Sequence, residues 1–258
     1  MQAPKHIVIT GASSGIGKAL AEAYAAPGRT LGLMARRAEL LENLAQSLRQ
    51  RGAEVWTAAA DVTDREATAR ILEEADNRLP VDLLIANAGI SGGTFGAGES
   101  ATQARAIFNV NLEGALNTVF PLIPRMSARR RGQIALMASL AGFRGFPAAP
   151  AYCASKAALR IYGEGLRGEL APLDVEVNVI CPGYIDTPMT QANHFPMPFL
   201  MTVARAADII INGLARNQAR IAFPFPTALA AWLLGVLPPA WTDGLLIRLP
   251  KKAPLKQA

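Results

Sequence analysis

The sequence predicts a single α/β domain built on a parallel sheet that helices cover on both faces. Short apolar runs alternate along the chain with segments whose apolar residues recur at three- and four-residue spacing, an alternation that is typical of βαβ units. The apolar runs are nearly continuous, as expected for strands that are buried on both faces. The chain has 258 residues, of which 51% are hydrophobic and 18% charged, so one sizeable core can form.

The predicted strands follow one another in a regular order. Six runs are interpreted as strands, and a candidate seventh follows them: HIVIT, TLGLMA, AEVWTA, DLLIAN, QIALMAS, VEVNVICP and then RIAFP. Intervening segments such as RAELLENLAQSLRQRG have helical periodicity. We find no linker, repeat or low-complexity stretch. We therefore treat residues 1–258 as one domain, with a core of about residues 5–222 and a C-terminal extension over residues 223–258.

Composition argues against several classes of protein. The two cysteines, Cys153 and Cys181, indicate no disulfide framework and suit a reducing cytoplasm. The two histidines, His6 and His194, lack a partner at ligand spacing, so we expect no metal site. The net charge is +6, but no aromatic residues interleave with the basic cluster RMSARRRG, so we expect no nucleic-acid partner. The N-terminus runs directly into the first predicted strand, and we expect no signal peptide.

A glycine-rich loop follows the first predicted strand. The segment VITGASSGIGKAL contains Gly11, Gly15 and Gly17 and opens a helix. Glycines permit a tight turn and let backbone N–H groups approach a pyrophosphate at the helix N-terminus. The spacing is G-x-x-x-G-x-G rather than the common G-x-G-x-x-G. Its position between a strand and a helix nevertheless predicts a nucleotide-binding site.

The end of the second predicted strand bears on the choice of nucleotide. An acidic residue there would bond a free ribose 2′-hydroxyl, whereas an arginine accommodates a 2′-phosphate. The sequence has Arg36 and Arg37, and the first acid, Glu39, comes later. A guanidinium group forms bidentate hydrogen bonds with phosphate. We expect NADP(H), with NAD(H) as the alternative if the two arginines are only the exposed first turn of a helix.

The segment YCASK places Tyr152 and Lys156 four positions apart, on the same side of a helix. Such a pair fits either an ordinary surface contact or a phenol and an ammonium group placed for proton transfer. A free tyrosine has a pKa near 10. A nearby ammonium group, together with the positive charge of an oxidised nicotinamide, would favour the phenolate and bring the tyrosine towards efficient acid–base catalysis.

Five motifs in order, TGASSGIG, ANAG, NVN, YCASK and CPGYIDT, resemble those of the short-chain dehydrogenase/reductase family over about residues 5–190. The resemblance implies a Rossmann-type, doubly wound sheet of seven mainly parallel strands. It also implies hydride transfer between NAD(P) and an alcohol or carbonyl group. The chain departs from the family where Ala138 precedes Ser139 and where ANAG replaces Asn-Asn-Ala-Gly, but it keeps the functional serine and asparagine.

The resemblance implies a catalytic tetrad. Tyr152 matches the acid/base, and Lys156 matches its partner, which can also reach the nicotinamide ribose. Ser139, thirteen positions before the tyrosine, matches the residue that hydrogen-bonds the substrate oxygen. Asn111 matches the residue that holds a water relaying protons to Lys156.

The resemblance also implies contacts with each part of the cofactor, from the phosphates through the 2′-phosphate, adenine and ribose to the nicotinamide. The implied residues are Gly11, Ser13, Ser14, Gly15, Ile16, Gly17, Arg36, Arg37, Asp61, Val62, Asn87, Ala88, Gly89, Tyr152, Lys156, Pro182, Gly183, Ile185 and Thr187. Thr187 is expected to bond the carboxamide. The alternative for Asn87 and Asp61 is that both are purely structural caps at strand ends.

The segment between Met189 and Val203 is expected, from the resemblance, to cover the substrate. Apolar residues dominate it and the neighbouring strand ends: Met189, Phe195, Met197, Phe199, Leu200 and Met201, with Phe143, Phe146 and Tyr184. Such a lining favours an apolar ketone, aldehyde or secondary alcohol. The alternative is that these side chains pack inward as core.

The C-terminal extension is rich in apolar and basic residues. The apolar ones are Trp232, Leu233, Val236, Leu237, Trp241, Leu245, Leu246 and Leu249, and the basic ones are Arg248, Lys251, Lys252 and Lys256. This pattern fits either an interfacial membrane anchor or an apolar arm buried in a subunit interface or in the chain's own core. The longest apolar stretch is too short to span a bilayer. Trp241, Leu245, Leu246 and Leu249 are expected to form one helical stripe that Pro238 and Pro239 separate from the preceding run.

The sequence therefore predicts a cytoplasmic, NADP(H)-dependent oxidoreductase acting on an apolar carbonyl or alcohol. We expect a homodimer or homotetramer, with peripheral membrane contact through the C-terminal segment as an open possibility. Two other readings stay open. One is an NAD-dependent alcohol dehydrogenase, and the other is a nucleotide-sensing regulatory protein with weak catalytic activity.

Overall fold

A computed structural model describes residues 3–94, 98–193, 195–250, 252 and 254–255 of the chain. The predictions that concern His194, Lys251 and Lys256 lie outside the described residues. The described residues contain seven strands. They are β1 (His6–Thr10), β2 (Thr30–Ala35), β3 (Glu54–Ala59), β4 (Leu83–Ala86), β5 (Gly132–Met137), β6 (Val175–Pro182) and β7 (Arg220–Phe223).

The strands form one parallel sheet in the order β3-β2-β1-β4-β5-β6-β7. Each strand coincides with one of the predicted apolar runs, and every neighbouring pair is parallel. The chain leaves β1 first towards β3 and later towards β7, so the strand order reverses between β1 and β4. Such a switch point opens a crevice at the carboxyl ends of the strands. The predicted doubly wound α/β fold is confirmed.

Helices connect the strands. They are α1 (Gly15–Tyr24), α2 (Ala38–Arg49), α3 (Arg65–Arg78), α4 (Ala101–Phe108), α5 (Gly114–Val119), α6 (Ile123–Ala128), α7 (Pro150–Leu170), α8 (Pro188–Gln191), α9 (Val203–Ala215), α10 (Phe225–Val236) and α11 (Pro239–Leu246). A π-helical turn, Asn109–Glu113, joins α4 to α5. Short 3₁₀ turns lie at Leu140–Gly142 and Ala171–Leu173.

Two apolar cores flank the sheet because successive residues of a strand point to opposite faces. On β1, Ile7 and Ile9 pack in the core that contains residues of α1, α2 and α9. Val8, between them, packs in the core that contains residues of α3, α5 and α7. All three side chains are fully buried. The nearly continuous apolar runs of the sequence therefore reflect strands that are covered on both faces.

The C-terminal extension forms two helices beside β7. Pro238 and Pro239 separate α10 from α11, as predicted. The prediction of one apolar stripe is wrong: Leu246 is buried, whereas Trp241 is 76% exposed and Leu245 is 60% exposed. Adjacent positions of a helix point about 100° apart, so Leu246 turns inward where Leu245 turns outward. In the part of the chain that the model describes, no helix has the length and apolarity needed to cross a bilayer.

Candidate active site

A cleft of about 380 Å³ lies at the carboxyl edge of the sheet, where β1 and β4 diverge. It is lined by loops that follow six of the strands. The predicted residues that line it are Gly11, Ser13, Ser14, Gly15, Ile16, Arg36, Arg37, Asp61, Val62, Asn87, Ala88, Gly89, Ser139, Tyr152, Lys156, Pro182, Gly183, Ile185 and Thr187. Gly17 and Asn111 do not line the cleft and support its wall from behind.

The glycine-rich loop forms one end of the cleft. Gly11 and Gly15 have φ angles of +66° and +56°, a region that favours glycine. A Cβ on Gly11 would lie 2.8 Å from the Cα atom of Ala88, and one on Gly17 would lie 2.5 Å from the carbonyl oxygen of Gly11. The side chain of Ser14 makes no capping bond to α1. The loop therefore presents a helix N-terminus at close backbone approach, the arrangement that binds phosphate.

Asn87 and Asp61 hold loops as well as lining the cleft. The Asn87 amide donates to the carbonyl oxygens of Thr10 and Gly11, at 2.9 and 3.3 Å. One carboxylate oxygen of Asp61 accepts from the backbone N–H and the hydroxyl of Thr63, at 3.0 and 2.9 Å. Both residues therefore have the structural role that was predicted as an alternative, and both also line the cleft.

Two arginines border the cleft at the end of β2. The Arg37 guanidinium donates to the hydroxyls of Ser13 and Ser14, at 2.9 and 2.8 Å. Arg36 lies 3.8 Å from a carboxylate oxygen of Asp61, and its side chain is 68% exposed. Helix α2 begins only at Ala38, so the alternative that both arginines belong to the first turn of a helix is wrong. Two positive charges thus stand beside the glycine-rich loop.

Tyr152, Lys156 and Ser139 meet at the other end of the cleft. Pro150 occupies the first turn of α7, where a missing N–H costs nothing, and Tyr152 and Lys156 follow one turn apart. The Lys156 ammonium lies 5.9 Å from the centre of the Tyr152 ring and donates to the carbonyl oxygen of Met137 at 2.7 Å. The Ser139 hydroxyl accepts from the N–H of Ala141 at 3.1 Å. These groups supply an acid, a cation and a hydroxyl donor in one place.

Asn111 lies behind this group, within the π-helical turn, and is fully buried. Its side-chain oxygen accepts from the N–H of Ile90 at 2.8 Å, and its amide donates to the Ile90 carbonyl oxygen at 3.0 Å. A Cβ on Gly89 would lie 3.1 Å from the Asn111 side-chain oxygen and 3.4 Å from the Lys156 nitrogen. Gly89 thus keeps open the space between the two groups. The relay of protons from Asn111 to Lys156 stays a prediction.

Ser155 is a site residue that the sequence analysis missed. Its hydroxyl accepts from the Asn111 amide at 3.0 Å and donates to the carbonyl oxygen of Tyr152 at 2.8 Å. It is fully buried. Ser155 therefore ties the π-helical turn to the first turns of α7. Its position beside Lys156 in YCASK was the available signal.

Burial sets the pKa values of the central pair. Desolvation raises the pKa of Tyr152 to about 12, although hydrogen bonding with Ser139 acts in the opposite direction. Desolvation also lowers the pKa of Lys156 to about 8. The lowering of the Tyr152 pKa that was expected from an ammonium group together with an oxidised nicotinamide stays a prediction for the protein with its cofactor bound.

The predicted substrate lining is only partly confirmed. Met189 lines the cleft. Tyr184 and Phe195 pack edge-on against each other with ring centres 6.2 Å apart and do not line it. The prediction for Phe143 and Phe146 is wrong. The Phe143 ring packs between the guanidinium groups of Arg160 and Arg220. Phe146 lines a different cavity, of about 400 Å³, between α7 and α11.

Among the described residues, no group of three or more His, Cys, Asp or Glu side chains is placed to hold a metal ion. His6 uses both ring nitrogens in the fold. The Trp56 indole donates to its Nε2 at 3.1 Å, and its Nδ1 lies 2.7 Å from the Leu79 carbonyl oxygen. Burial lowers the pKa of His6. This histidine is therefore a neutral structural residue.

Comparison with known proteins agrees with this geometry. The family model for short chain dehydrogenase matches residues 5–195. An uncharacterized oxidoreductase of Myxococcus xanthus is 36% identical over 243 residues, covering 94% of this chain and 96% of that protein. A short-chain dehydrogenase from Sphingobium yanoikuyae in complex with NADPH superposes with a TM-score of 0.80, at 27% identity and covering 95% and 96% of the two chains. A short chain dehydrogenase/reductase from Burkholderia phymatum in complex with NAD gives 0.83, at 26% identity and 99% of both chains.

Proposed function

The chain belongs to the short-chain dehydrogenase family and is an oxidoreductase, and we propose that it transfers a hydride between NADP(H) and an apolar ketone, aldehyde or secondary alcohol. One observation carries the proposal. A phosphate-binding type of loop and the group Ser139, Tyr152 and Lys156 lie at two ends of the same cleft. A dinucleotide that binds the loop with its phosphates has its reactive ring within reach of a proton donor.

The residues present fit such a cofactor. Gly11 and Gly17 stand where any side chain would strike backbone atoms at 2.8 and 2.5 Å, so the loop keeps the form that a pyrophosphate needs. Thr187, the residue expected to bond the carboxamide, stands beside this loop, with its Cγ2 atom 3.2 Å from the position of a Cβ on Gly15. When bound, the nicotinamide supplies or accepts the hydride.

The chain's own residues supply the proton chemistry. With a pKa raised to about 12, Tyr152 is a protonated phenol at neutral pH and can donate its proton to a carbonyl oxygen that becomes an alkoxide. The Ser139 hydroxyl stabilises the same oxygen as a hydrogen-bond donor. The Lys156 ammonium, held by the Met137 carbonyl oxygen, stabilises negative charge left on the phenol. A protonated tyrosine suits the reduction of a carbonyl better than the oxidation of an alcohol.

The preference for NADP(H) rests on Arg36 and Arg37. The related structures hold NADPH in one case and NAD in another, so the family does not decide the question. The end of β2 has two guanidinium groups and no acid, and the nearest carboxylate, that of Asp61 at the end of β3, lies 3.8 Å from Arg36. Arg37 already lies over the glycine-rich loop through its bonds to Ser13 and Ser14. A 2′-phosphate would gain charge-assisted bonds in that place.

The apolar class of substrate rests on the segment between α8 and α9. Met189 lines the cleft, and Phe199 and Leu200 are 59% and 46% exposed. An apolar substrate would cover such side chains and keep its one oxygen for Ser139 and Tyr152. The homo-oligomer expected from the sequence fits the exposed Phe120 and Ile161, since self-association would cover them. Light scattering measures the oligomeric state.

Substitution of Arg36 and Arg37 by alanine tests the assignment of NADP(H) as the cofactor. We expect Arg36→Ala and Arg37→Ala together to raise the Kd of NADPH by about tenfold to a hundredfold, the scale of a lost charge-assisted hydrogen bond. The Kd of NADH should change little, because NADH has no 2′-phosphate. Quenching of protein fluorescence by each cofactor measures both constants.

The matched control is Arg51→Ala, which removes an exposed arginine bonded to the Glu22 carbonyl oxygen and should leave both constants unchanged. Equal Kd values of the unmodified protein for NADPH and NADH would overturn the NADP(H) assignment. A screen of apolar carbonyls with either cofactor separates the enzyme from the regulatory alternative. Tight cofactor binding without turnover of any of them would favour the nucleotide sensor.

A further inference from the structure

Five of the six bulky apolar side chains of α10 point away from the protein, and the sixth, Leu234, is partly buried. The five recur at spacings of four, three, one and three residues, which places them on one face of the helix. These residues are Phe225, Leu229, Trp232, Leu233 and Val236, with exposed fractions between 44% and 76%. A helix that stabilised only the core would turn this face inward.

The opposite face of α10 carries mostly small residues, with Leu234 as the large one. Ala231 is buried and Ala228 is partly buried against the same small core. A Cβ on Gly235 would lie 2.6 Å from the carbonyl oxygen of Phe143. Small residues let α10 approach the protein closely. If the helix turned its bulky face inward, those side chains would push it away from the protein. The alternative that the extension is buried in the chain's own core is therefore wrong for this face.

The exposed apolar area continues through α11. Ten of the eighteen large apolar residues that are exposed in the described part of the chain belong to it. We call this set the C-terminal apolar surface: Phe225, Leu229, Trp232, Leu233, Val236, Leu237, Trp241, Leu245, Ile247 and Leu249. An apolar concentration of this kind marks a site of interaction with a membrane or a protein.

The charges around this surface have one predominant sign. Asp243 is the single acid in the sequence after Phe225, and it pairs with Arg144 at 2.7 Å. Arg248 is exposed just beyond the end of α11. Of the three lysines that follow it in the sequence, Lys252 lies among the described residues and bonds Ser91. The surface also includes Trp232 and Trp241, and tryptophan is the side chain enriched where one end meets hydrocarbon and the other meets water. We propose that the C-terminal apolar surface docks on an anionic membrane surface.

Charge complementarity favours the membrane over a second copy of the chain. Symmetric pairing joins the same patch of two subunits, so two surfaces that carry the exposed Arg248 and whose Asp243 is already paired with Arg144 would meet. Like charges brought together in this way weaken association. An anionic bilayer instead attracts Arg248 while its acyl region accepts the apolar side chains.

The C-terminal segment also contacts both sides of the catalytic cleft. Lys252 donates to the hydroxyl of Ser91 at 2.9 Å, one residue beyond Ile90, which lines the cleft. Helix α10 packs on the turn Leu140–Gly142, next to Ser139. The membrane surface would therefore lie close to the substrate entrance. On the basis of the proposed function, we expect substrates that partition into the bilayer.

Flotation with vesicles tests the docking surface on the full-length protein. We expect binding to vesicles of phosphatidylcholine with phosphatidylserine, and weaker binding to phosphatidylcholine alone or at high salt. Trp232→Ser combined with Trp241→Ser should lower the vesicle partition coefficient about tenfold or more, because two large apolar groups no longer enter the bilayer. This double variant should keep its turnover of a water-soluble carbonyl, since neither tryptophan lines the cleft.

A matched pair of single variants controls for loss of apolar area as such. Leu229 is 44% exposed within the C-terminal apolar surface, and Leu40 is 42% exposed on α2. Leu229→Ser should weaken vesicle binding severalfold, whereas Leu40→Ser should leave it unchanged. Equal effects of the two would show that any exposed apolar group supports binding, and the proposal would be wrong.

Three further results would overturn the docking proposal. They are no binding of the full chain to anionic vesicles at low salt, unchanged binding by the tryptophan variant, and a lower molecular mass of that variant in light scattering without any vesicle binding. The last result would assign the surface to a subunit interface. Vesicle binding requires no turnover, so an inactive protein that still binds would sink the proposed function and leave the docking surface standing.

Discussion

Small residues bring backbones close together both in the catalytic cleft and beneath α10, but the two regions turn their larger groups in opposite directions. In the cleft, Gly11 and Gly17 make room so that polar groups converge on one volume. Beneath α10, Ala231 and Gly235 make room so that bulky apolar groups point outward. The same local device therefore serves an enclosed ligand in one region and an external surface in the other.

Lys156, which is buried, and Lys252, which is half-buried, extend the comparison. Desolvation lowers the pKa of Lys156 in the cleft and of Lys252 in the C-terminal segment to about 8 in each case. Lys156 contacts the groups assigned to chemistry, whereas Lys252 bonds the Ser91 hydroxyl. A lowered pKa alone does not distinguish the two roles, but substitution of each residue does.

The largest expected effect is that of Tyr152→Phe. The change removes the proton donor and keeps the ring, so kcat should fall by about a hundredfold or more, the usual scale of acid–base catalysis. The Kd of NADPH should change little, because the ring and its packing stay in place. Steady-state kinetics with a water-soluble carbonyl and a fluorescence titration measure the two quantities.

Tyr162→Phe is the matched control, since Tyr162 lies on the same helix and packs against Phe120 outside the cleft. Its kcat should match that of the unmodified protein. A Tyr152→Phe protein with near-normal kcat would remove the mechanism and leave no catalytic distinction between the cleft and the C-terminal helices.

The pH dependence of reduction should report Lys156. Because burial lowers the pKa of Lys156 to about 8, its ammonium form is present below that pH and is lost as the pH rises. Tyr152, with a pKa raised to about 12, stays protonated throughout. We expect kcat/KM for NADPH, which reports on the free protein, to be level up to pH about 8 and then to fall roughly tenfold per unit.

Lys252→Gln identifies which lysine is responsible. The pKa of Lys252 is also about 8, but its substitution should leave the shape of the profile unchanged. A profile that becomes level in this variant would assign the titration to the C-terminal segment. A level profile in the unmodified protein up to pH 9.5 would mean that the charge of Lys156 is not needed.

The sequence predicted the fold well because apolar runs and helical periodicity are local signals. Every predicted strand appears in the sheet, including RIAFP as β7. The residues predicted to line the cofactor site also converge, because the carboxyl ends of parallel strands lie along one edge. Sequence order and strand direction together are sufficient to bring Gly11, Asn87 and Ser139 to that edge.

Other features depend on three-dimensional packing and were not predictable in this way. The outward direction of Trp232 depends on how Gly235 seats α10 against Phe143. The raised pKa of Tyr152 depends on how far desolvation exceeds the opposing effect of the hydrogen bond with Ser139. Ser155 belongs to the site because its hydroxyl bridges the Asn111 amide and the Tyr152 carbonyl oxygen. The spacing of residues along the chain does not reveal any of these three effects of folding.

The smallest expected effects come from two glycine substitutions that separate the regions. Gly17→Ala places a Cβ 2.5 Å from the Gly11 carbonyl oxygen, and Gly235→Ala places one 2.6 Å from the Phe143 carbonyl oxygen. Overpacking of this kind costs about 1–3 kcal/mol. In Gly17→Ala the distortion falls on the phosphate loop, so the Kd of NADPH should rise about fivefold or more. In Gly235→Ala it should lower the free energy of unfolding by about 1–3 kcal/mol and leave the Kd unchanged.

Gly165→Ala is the control for both, because a Cβ at that position of α7 meets no atom within 4 Å. It should stabilise the protein by about 0.5–1 kcal/mol, the usual gain from replacing an unconstrained helical glycine. Denaturant unfolding with a parallel cofactor titration measures all three variants. If Gly235→Ala raised the Kd of NADPH as much as Gly17→Ala does, the seating of α10 would shape the cofactor cleft. The two regions would then act as one, with membrane docking able to alter cofactor binding directly.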